Sequence, residues 1–167
     1  MSLSKESASN KLSPNQTVAF NLKNPIHFLA LGFGSGLMPK APGTFGTLAA
    51  IPLFLLMSGL SPINYALLVL LISLVGIYLC GKTADDVGVH DHGAIVWDEF
   101  AGFFITMFMV PVSWLSILVG FMLFRFFDIL KPWPITITDK KLTSGFGIMF
   151  DDILAGLFAL VLMHIIF

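Results

Sequence analysis

Residues 64–81, NYALLVLLISLVGIYLCG, form an uncharged segment in which Leu, Val and Ile predominate. A helix that crosses the hydrocarbon core of a bilayer, about 30 Å thick, needs roughly 20 residues at about 1.5 Å each. The segment approaches that length, and its composition predicts a membrane helix. Residues 44–60 are also uncharged, and the Ser-Gly-Leu-Ser-Pro sequence at 58–62 is typical of a turn. These two segments are therefore expected to form a helical hairpin.

The rest of the chain has the same apolar character. Of the 167 residues, 56% are hydrophobic and 11% are charged, whereas soluble domains carry about 25% charged residues. The net charge of -1 argues against a nucleic-acid partner, because nucleic-acid binding is expected to need a basic surface. Residues 1–24 are polar, and we interpret them as a flexible tail. Residues 25–167 are then a single membrane-embedded domain.

Two further apolar runs complete the predicted architecture. Residues 100–124 are uncharged with Pro111 near the middle, so they form either one kinked span or two helices, and residues 153–167 end the chain. If the run at 100–124 is a hairpin, the Lys and Arg residues of the other connections fall on one face, which the positive-inside tendency makes cytoplasmic. We therefore predict an all-α, polytopic bundle of about five membrane helices.

Helix length predicts where the acidic residues lie. Residues 100–110 cover only about 16 Å as a helix, and residues 153–167 about 22 Å. Starting each helix earlier includes the acid pairs at 98–99 and 151–152. Because a carboxylate costs about 2.5–3.5 kcal/mol at the bilayer centre, these pairs are expected at the cytoplasmic boundary, near helix N-termini.

The segment GSGLMPKAPGTFGT at 34–47 combines glycines with Lys40 and two threonines. Glycine allows close backbone approach, and Thr44 or Thr47 could cap the following helix. Such a loop can present N–H groups to a phosphate, although it lacks the Gly-Lys-Ser/Thr ending of a Walker loop. A helix break with N-caps explains the pattern equally well.

Acidic and histidine side chains are concentrated between residues 86 and 99. Hard cations such as Mg²⁺ bind carboxylate oxygens and keep water molecules for a substrate. Neighbouring histidines could be an acid/base pair or part of a transition-metal site. The candidates are Asp86, His90, His92, Asp98 and Glu99. A solvated loop and a helix-start acid pair would explain one or two of them, but less easily this density in a chain with ten acidic residues.

Two more motifs carry charge beside apolar helices. In FRFFDILKPWPI at 124–135, Arg125, Asp128 and Lys131 are spaced by three and share a helical face. Arginine suits bidentate phosphate binding, although Arg125 and Lys131 could also anchor the helix at the membrane interface. In GFGIMFDDILAG at 145–156, the acid pair could match the helix dipole or bind a metal or substrate.

In order and spacing, these four motifs resemble those of the phosphatidylglycerophosphatase A family. The resemblance extends over residues 24–156 and includes GFGSGL at 32–37, GVHDHG at 88–93 and IVWDE at 95–99. Thr47 stands where a serine is expected, and Asp85 lies outside the pattern. The resemblance implies a Mg²⁺-dependent phosphatase of the bacterial inner membrane, and the distribution of basic residues predicts that its site lies on the cytoplasmic face. Its substrate would be phosphatidylglycerophosphate, and its products phosphatidylglycerol and phosphate.

The resemblance and the residue patterns together assign roles to the candidates. The predicted metal ligands are Asp86, Asp98, Glu99, Asp151 and Asp152. The predicted phosphate-binding residues are Lys40, Thr44, Arg125 and Lys131. The predicted catalytic residues are His90, His92, Asp98 and Asp128. Water activated by Mg²⁺ is the preferred nucleophile, and an aspartyl-phosphate intermediate is the alternative.

Proteins of two other classes would also place carboxylates beside membrane helices. An ion-coupled transporter uses intramembrane carboxylates as ion or proton sites. However, the acids here flank the apolar runs, and the sequence shows no convincing internal repeat. A non-catalytic membrane subunit would give no reason for so many carboxylates. The sequence does not indicate an oligomeric state.

Overall fold

The computed structural model describes residues 20–89, 92–133 and 145–167. Within these ranges the chain forms six α-helices and one 3-10 helix, without a β-strand. In chain order they are α1 Pro25–Ala30, the 3-10 helix Ser35–Leu37, α2 Pro42–Met57, α3 Pro62–Val87, α4 Trp97–Thr106, α5 Trp114–Leu130 and α6 Gly145–Ile166. The predicted all-α class is confirmed for these residues. Residues 1–19, the larger part of the predicted tail, lie outside them.

The predicted turn at 58–62 separates α2 from α3. The Ser61 side chain accepts a hydrogen bond from the Asn64 N–H (3.4 Å), and Pro62 occupies the first helical position, which needs no N–H donor. α3 then continues past the predicted end at residue 81 to Val87. It ends at Gly88, which adopts the left-handed conformation (φ 70°) that terminates many helices.

The apolar run at 100–124 forms parts of two helices rather than one kinked helix. α4 ends at Thr106, and α5 begins after Ser113, whose side chain forms a capping box with Ser116. Nη1 of Arg125, near the end of α5, lies 3.7 Å from Oε1 of Glu99, near the start of α4. The two helices are therefore antiparallel.

α4 is the central helix, and nearly all of its residues are buried. The starts of α2 and α4 lie at the same end as the C-terminal part of α5, because Gly43, Glu99 and Arg125 are neighbours. We call this end the polar end. The indole N–H of Trp97 donates to the Ile72 carbonyl in α3 (3.2 Å).

The outer faces of the bundle are apolar. On α3, Leu67 and Leu74 are 59% and 57% exposed. Large exposed apolar surfaces on a protein mark contact with a membrane or a partner. Both α3 and α6 are long and apolar enough to cross a bilayer.

Candidate active site

Three carboxyl groups meet at the polar end, and we call them the acid cluster. Asp98 and Glu99 belong to the first turn of α4, and Asp152 lies two turns into α6. One oxygen from each group lies within 4.8 Å of the others. The three residues are only 7%, 8% and 4% exposed. The position of Asp152, two turns after the start of its helix, differs from the sequence-based prediction, which placed it near the helix start.

A backbone contact one turn farther along both helices explains why these acids meet. A Cβ atom added to Gly156 would lie 2.5 Å from the Gly102 carbonyl oxygen. Only glycine allows α4 and α6 to approach this closely, as in the small-residue contacts of membrane helices. Gly102 follows Asp98 by four residues, and Gly156 follows Asp152 by four, so each acid lies on the glycine face of its helix.

The acid cluster requires a compensating charge. Oε2 of Glu99 and Oδ2 of Asp152 are buried and have no hydrogen-bond partner among the residues that the structure describes. Burying an ionised carboxylate without a partner is costly, and close carboxylates disfavour each other's ionisation. One guanidinium lies nearby but is also paired with Asp128, so protons or a further cation must balance the rest of the cluster. Its all-oxygen donor set suits a hard divalent cation such as Mg²⁺.

Arg125 places a guanidinium beside the acid cluster. Its Nη1 lies 3.7 Å from Glu99 Oε1 and 2.5 Å from Asp128 Oδ2. The side chains of Arg125 and Asp128 are each only 14% exposed. Nε of Arg125 is buried and has no hydrogen-bond partner within the described ranges. The predicted face shared by Arg125 and Asp128 is thus directed at the candidate site.

The start of α2 closes the site on another side. A Cβ atom added to Gly43 would lie 2.2 Å from Glu99 Oε1 and 3.0 Å from both terminal nitrogens of Arg125. Glycine is therefore required here for close approach. Thr44 is partly buried in the first turn of α2, and Lys40 is exposed just before that helix. The structure thus brings the predicted phosphate-binding loop to the acid cluster.

Asp151 and Lys131 form a second polar contact near the cluster. Lys131 Nζ lies 3.1 Å from Asp151 Oδ2, and the Asp151 side chain is 7% exposed. Adjacent residues of a helix point about 100° apart. The two acids of the pair therefore separate, with Asp152 in the acid cluster and Asp151 on Lys131.

Asp86 engages different partners. Its carboxylate forms an ion pair with Lys82 on the same helix and contacts Nε2 of His27 at 3.2 Å. His27 is buried, and its Nδ1 accepts a hydrogen bond from the Asn21 N–H (3.1 Å). His27 was not among the predicted site residues, since no local motif links it to an acid 59 positions away.

His92 lies in the segment before α4. Its Nδ1 accepts a hydrogen bond from the Ala94 N–H (3.1 Å). In the neutral ring the proton is then on Nε2, which makes Nε2 the donor. The ring lines a cavity of about 500 Å³ together with Met38 and Pro42. His90, the other predicted histidine, lies outside the described residues.

The protein is an apolar helical bundle with carboxylates, a guanidinium and the start of a helix at one end. This arrangement is that of a membrane-associated helical protein with a polar site for charged ligands. Within that class, the chain belongs to the phosphatidylglycerophosphatase A family, because the family model with that description matches residues 28–167.

Two relatives support this assignment. The Haemophilus influenzae protein named phosphatidylglycerophosphatase A is 51% identical over 154 residues, which covers 91% of this chain and 94% of the relative. The Escherichia coli protein of the same name is 50% identical over 146 residues, covering 87% and 85%. Neither name supports the transporter alternative. No solved structure matches the chain.

Proposed function

We propose that this chain is a metal-dependent lipid phosphatase that hydrolyses the terminal phosphate of phosphatidylglycerophosphate. The observation that carries the proposal is the juxtaposition of the acid cluster, Arg125 and the start of α2. The names of the two relatives supply the substrate. The products would be phosphatidylglycerol and inorganic phosphate.

Asp98, Glu99 and Asp152 would hold Mg²⁺, since they supply carboxylate oxygens from two helices within one small volume. When bound, Mg²⁺ activates water and screens the negative charge of the phosphate. Asp151 and Asp86 were also predicted as ligands. Because each is already paired with a histidine or lysine in the structure, they would lie outside the direct ligands of the metal.

Arg125 would bind the phosphate oxygens through its planar fork. Asp128 and Glu99 both lie against Nη1 of the guanidinium, so that it is oriented before the substrate arrives. The absence of a side chain at Gly43 leaves room beside the guanidinium. Lys40 and Thr44 lie close to Gly43 in the chain, and Lys131 is paired with Asp151, next to Asp152. These three residues would add charge or hydrogen bonds to the head group.

Hydrolysis transfers the phosphoryl group from the glycerol oxygen of the lipid to water. The P–O bond to glycerol breaks, and the released alkoxide takes up a proton to become the hydroxyl of phosphatidylglycerol. His92 would donate that proton from Nε2, or His90 would do so from the same segment. The alternative mechanism has an aspartate oxygen attack the phosphorus first, and water then hydrolyses the acyl phosphate.

We place the protein across the bacterial inner membrane with the polar end at the cytoplasmic side. Lys40, Lys82 and Arg125 lie toward the polar end, whereas the connections at 58–62 and 107–113 carry no charge. This asymmetry supports the positive-inside orientation. α2, α3, α5 and α6 would cross the bilayer. α4, only about 15 Å long, would cross together with the segment after it, enclosed by the other helices.

The test is phosphate release by detergent-solubilised protein from phosphatidylglycerophosphate. We expect turnover that EDTA abolishes and Mg²⁺ restores. Asp152→Asn should remove this turnover while the protein still folds. Undiminished turnover in excess chelator would contradict the metal site, and the absence of turnover by folded protein with Mg²⁺ would contradict the proposed function.

A further inference from the structure

Residues 24–39, which we call the lysine-flanked segment, lie between Lys23 and Lys40 and contain no Asp, Glu, Lys or Arg. The segment holds α1, the 3-10 helix and the turn between them, and both flanking lysines are exposed. Its large exposed side chains are all apolar, namely Phe28, Phe33, Leu37 and Met38. The exposed face of the segment therefore has the composition of a surface that contacts lipid or a partner.

The backbone of the segment satisfies its own hydrogen-bond donors. Every N–H from Leu31 to Met38 donates to a carbonyl of residues 27–35, at 2.8–3.4 Å. The Ser35 hydroxyl also donates within the segment, to the Gly32 carbonyl (2.8 Å). A loop that faces water can leave such donors to the solvent, whereas hydrocarbon requires an internal partner for each of them. The segment thus meets a condition that lipid imposes and water does not.

The segment starts at the polar end and runs into the bundle beside α3. His27 in α1 contacts Asp86 near the end of α3 (3.2 Å). The ring of Phe33, beyond the end of α1, lies 6.2 Å from the ring of Trp97. The Trp97 indole N–H contacts α3 at the Ile72 carbonyl. Because Asp86 and Ile72 are about 21 Å apart along α3, the segment penetrates well below the polar end.

The chain then reverses and returns to the polar end. Gly32, Phe33 and Gly34 all adopt the left-handed conformation, with φ of 54°, 58° and 92°, and this turn reverses the chain. On the returning side, Gly36 lies directly against the Ala94 carbonyl oxygen, with no room for a Cβ atom. α2 begins soon after, at the polar end. The segment therefore enters and leaves the bundle at the same end.

The apolar run of α3 gives the depth of the turn. The Trp97 ring lies between Ile72 and Gly76, where an added Cβ atom would be 2.7 Å from it. Gly76 and Ile72 lie about 9 and 15 Å along the helix axis from Lys82, the first charged residue after the run. Phe33, packed on the Trp97 ring, is 47% exposed. With α3 crossing a core of about 30 Å, this exposed ring would lie inside the hydrocarbon.

We propose that the lysine-flanked segment is a re-entrant membrane element whose exposed face contacts the acyl chains of the cytoplasmic leaflet. The inference rests on the placement in the membrane under the proposed function. Lys23 and Lys40 would keep their charges among the head groups while their stems lie along apolar surface. The element also covers the start of α4, because the Val96 N–H donates to the Ala30 carbonyl (2.9 Å). It would shield this side of the helix that carries two acids of the cluster from lipid.

The test is a depth profile of spin labels on single cysteines in protein reconstituted into bilayers, with the buried Cys80 replaced by alanine. The Leu74→Cys label is the lipid reference, because Leu74 is exposed on α3 about 12 Å from Lys82. We expect the Phe33→Cys label to match it in the ratio of accessibility to oxygen and to a polar nickel complex. This ratio should be at least about tenfold lower at Lys40→Cys, because hydrocarbon excludes polar solutes.

Each other result has a definite consequence. A Phe33→Cys label as accessible to nickel as the Lys40→Cys label, with the Leu74→Cys label in lipid, would overturn the re-entrant element alone. A Phe33→Cys label hidden from both reagents would show that protein covers this face, and would also overturn it. A Leu74→Cys label in water would overturn the membrane placement and this inference together. None of these results depends on phosphatase activity, which phosphate release tests separately.

The two ends of the segment distinguish a re-entrant element from a span. Cysteines at Lys23 and Lys40 should both react with an impermeant thiol reagent from the cytoplasmic side. Reaction from opposite sides would show that the segment crosses the membrane and would contradict the proposal.

A measurement on the unaltered protein covers the case in which the cysteine variants do not fold. An apolar diazirine reagent dissolved in the bilayer, with glutathione in the water as scavenger, should label the peptide 24–40, which trypsin releases by cleaving after Lys23 and Lys40. The next tryptic peptide, 41–82, contains α2 and most of α3 and is the internal control. Labelling of 41–82 without labelling of 24–40 would overturn the proposal.

Discussion

Replacing Gly43 with alanine should separate activity from stability at the candidate site. The added Cβ atom would lie 2.2 Å from Oε1 of Glu99 and 3.0 Å from both terminal nitrogens of Arg125. The backbone of α2 is fixed by its packing, so the carboxylate and the guanidinium must move. Alanine also favours a helix over glycine by about 1 kcal/mol, so α2 itself should not be weakened.

The size of the effect follows from the displacement. An ordinary contact begins at 3.4 Å, so the Glu99 carboxylate must shift by about 1 Å. A misplacement of about 1 Å in a positioned group costs about a hundredfold in rate, or about 2.7 kcal/mol of transition-state stabilisation. The Mg²⁺ concentration needed for half-maximal activity should rise as well, because Glu99 is a proposed ligand.

The assay measures kcat/KM for phosphatidylglycerophosphate across a Mg²⁺ titration, together with the thermal midpoint of unfolding. Gly59→Ala is the control, because a Cβ atom at Gly59 would meet nothing within 4 Å. Gly43→Ala with unchanged turnover and an unchanged Mg²⁺ requirement would refute the placement of Glu99 and Arg125 in the site. A parallel collapse of stability would instead assign Gly43 a purely structural role.

Three other changes test the remaining parts of the proposal. Glu99→Gln should lower kcat/KM by about a hundredfold and raise the stability of the metal-free protein, since a buried like charge is removed. Asp85→Asn, at an exposed position, is the control and should have neither effect. Loss of activity in both variants would count against the acid cluster. Arg125→Lys should lower kcat/KM by about ten- to a hundredfold, or about 1.4–2.7 kcal/mol; near-normal kinetics would make Arg125 a membrane anchor. Cysteine at Ser61 should react with an impermeant label only from the periplasmic side and cysteine at Gly93 only from the cytoplasm; labelling of both from one side would contradict the orientation.

The helices were largely predictable because their boundaries are local. Short sequence segments signal both the turn at 58–62, which separates α2 from α3, and the break near Pro111, which separates α4 from α5. The predicted apolar segment ended at residue 81, because Lys82 is the first charged residue after it, whereas α3 extends to Val87. A helix that leaves a membrane can continue with charged residues until a residue such as Gly88 ends it.

The composition of the site was only partly predictable. Asp151 and Asp152 are each followed four residues later by a small residue, Ala155 and Gly156. Either acid could therefore have faced α4, and the rotation of α6 about its own axis in the tertiary fold directs Asp152 toward α4. The contact of Asp86 with His27 joins two distant segments, and only the tertiary fold reveals it.

The contact between Gly102 and Gly156 makes the acid cluster depend on how two helices associate. Its proposed ligands are divided between α4 and α6, which no short loop joins, so cation binding and helix association are thermodynamically linked. A bound cation would fasten the two helices together, and any force that separates them would weaken its binding. Lipid composition and lateral pressure act on helix spacing, so the membrane whose lipids this protein would make would also regulate the affinity of the proposed metal site.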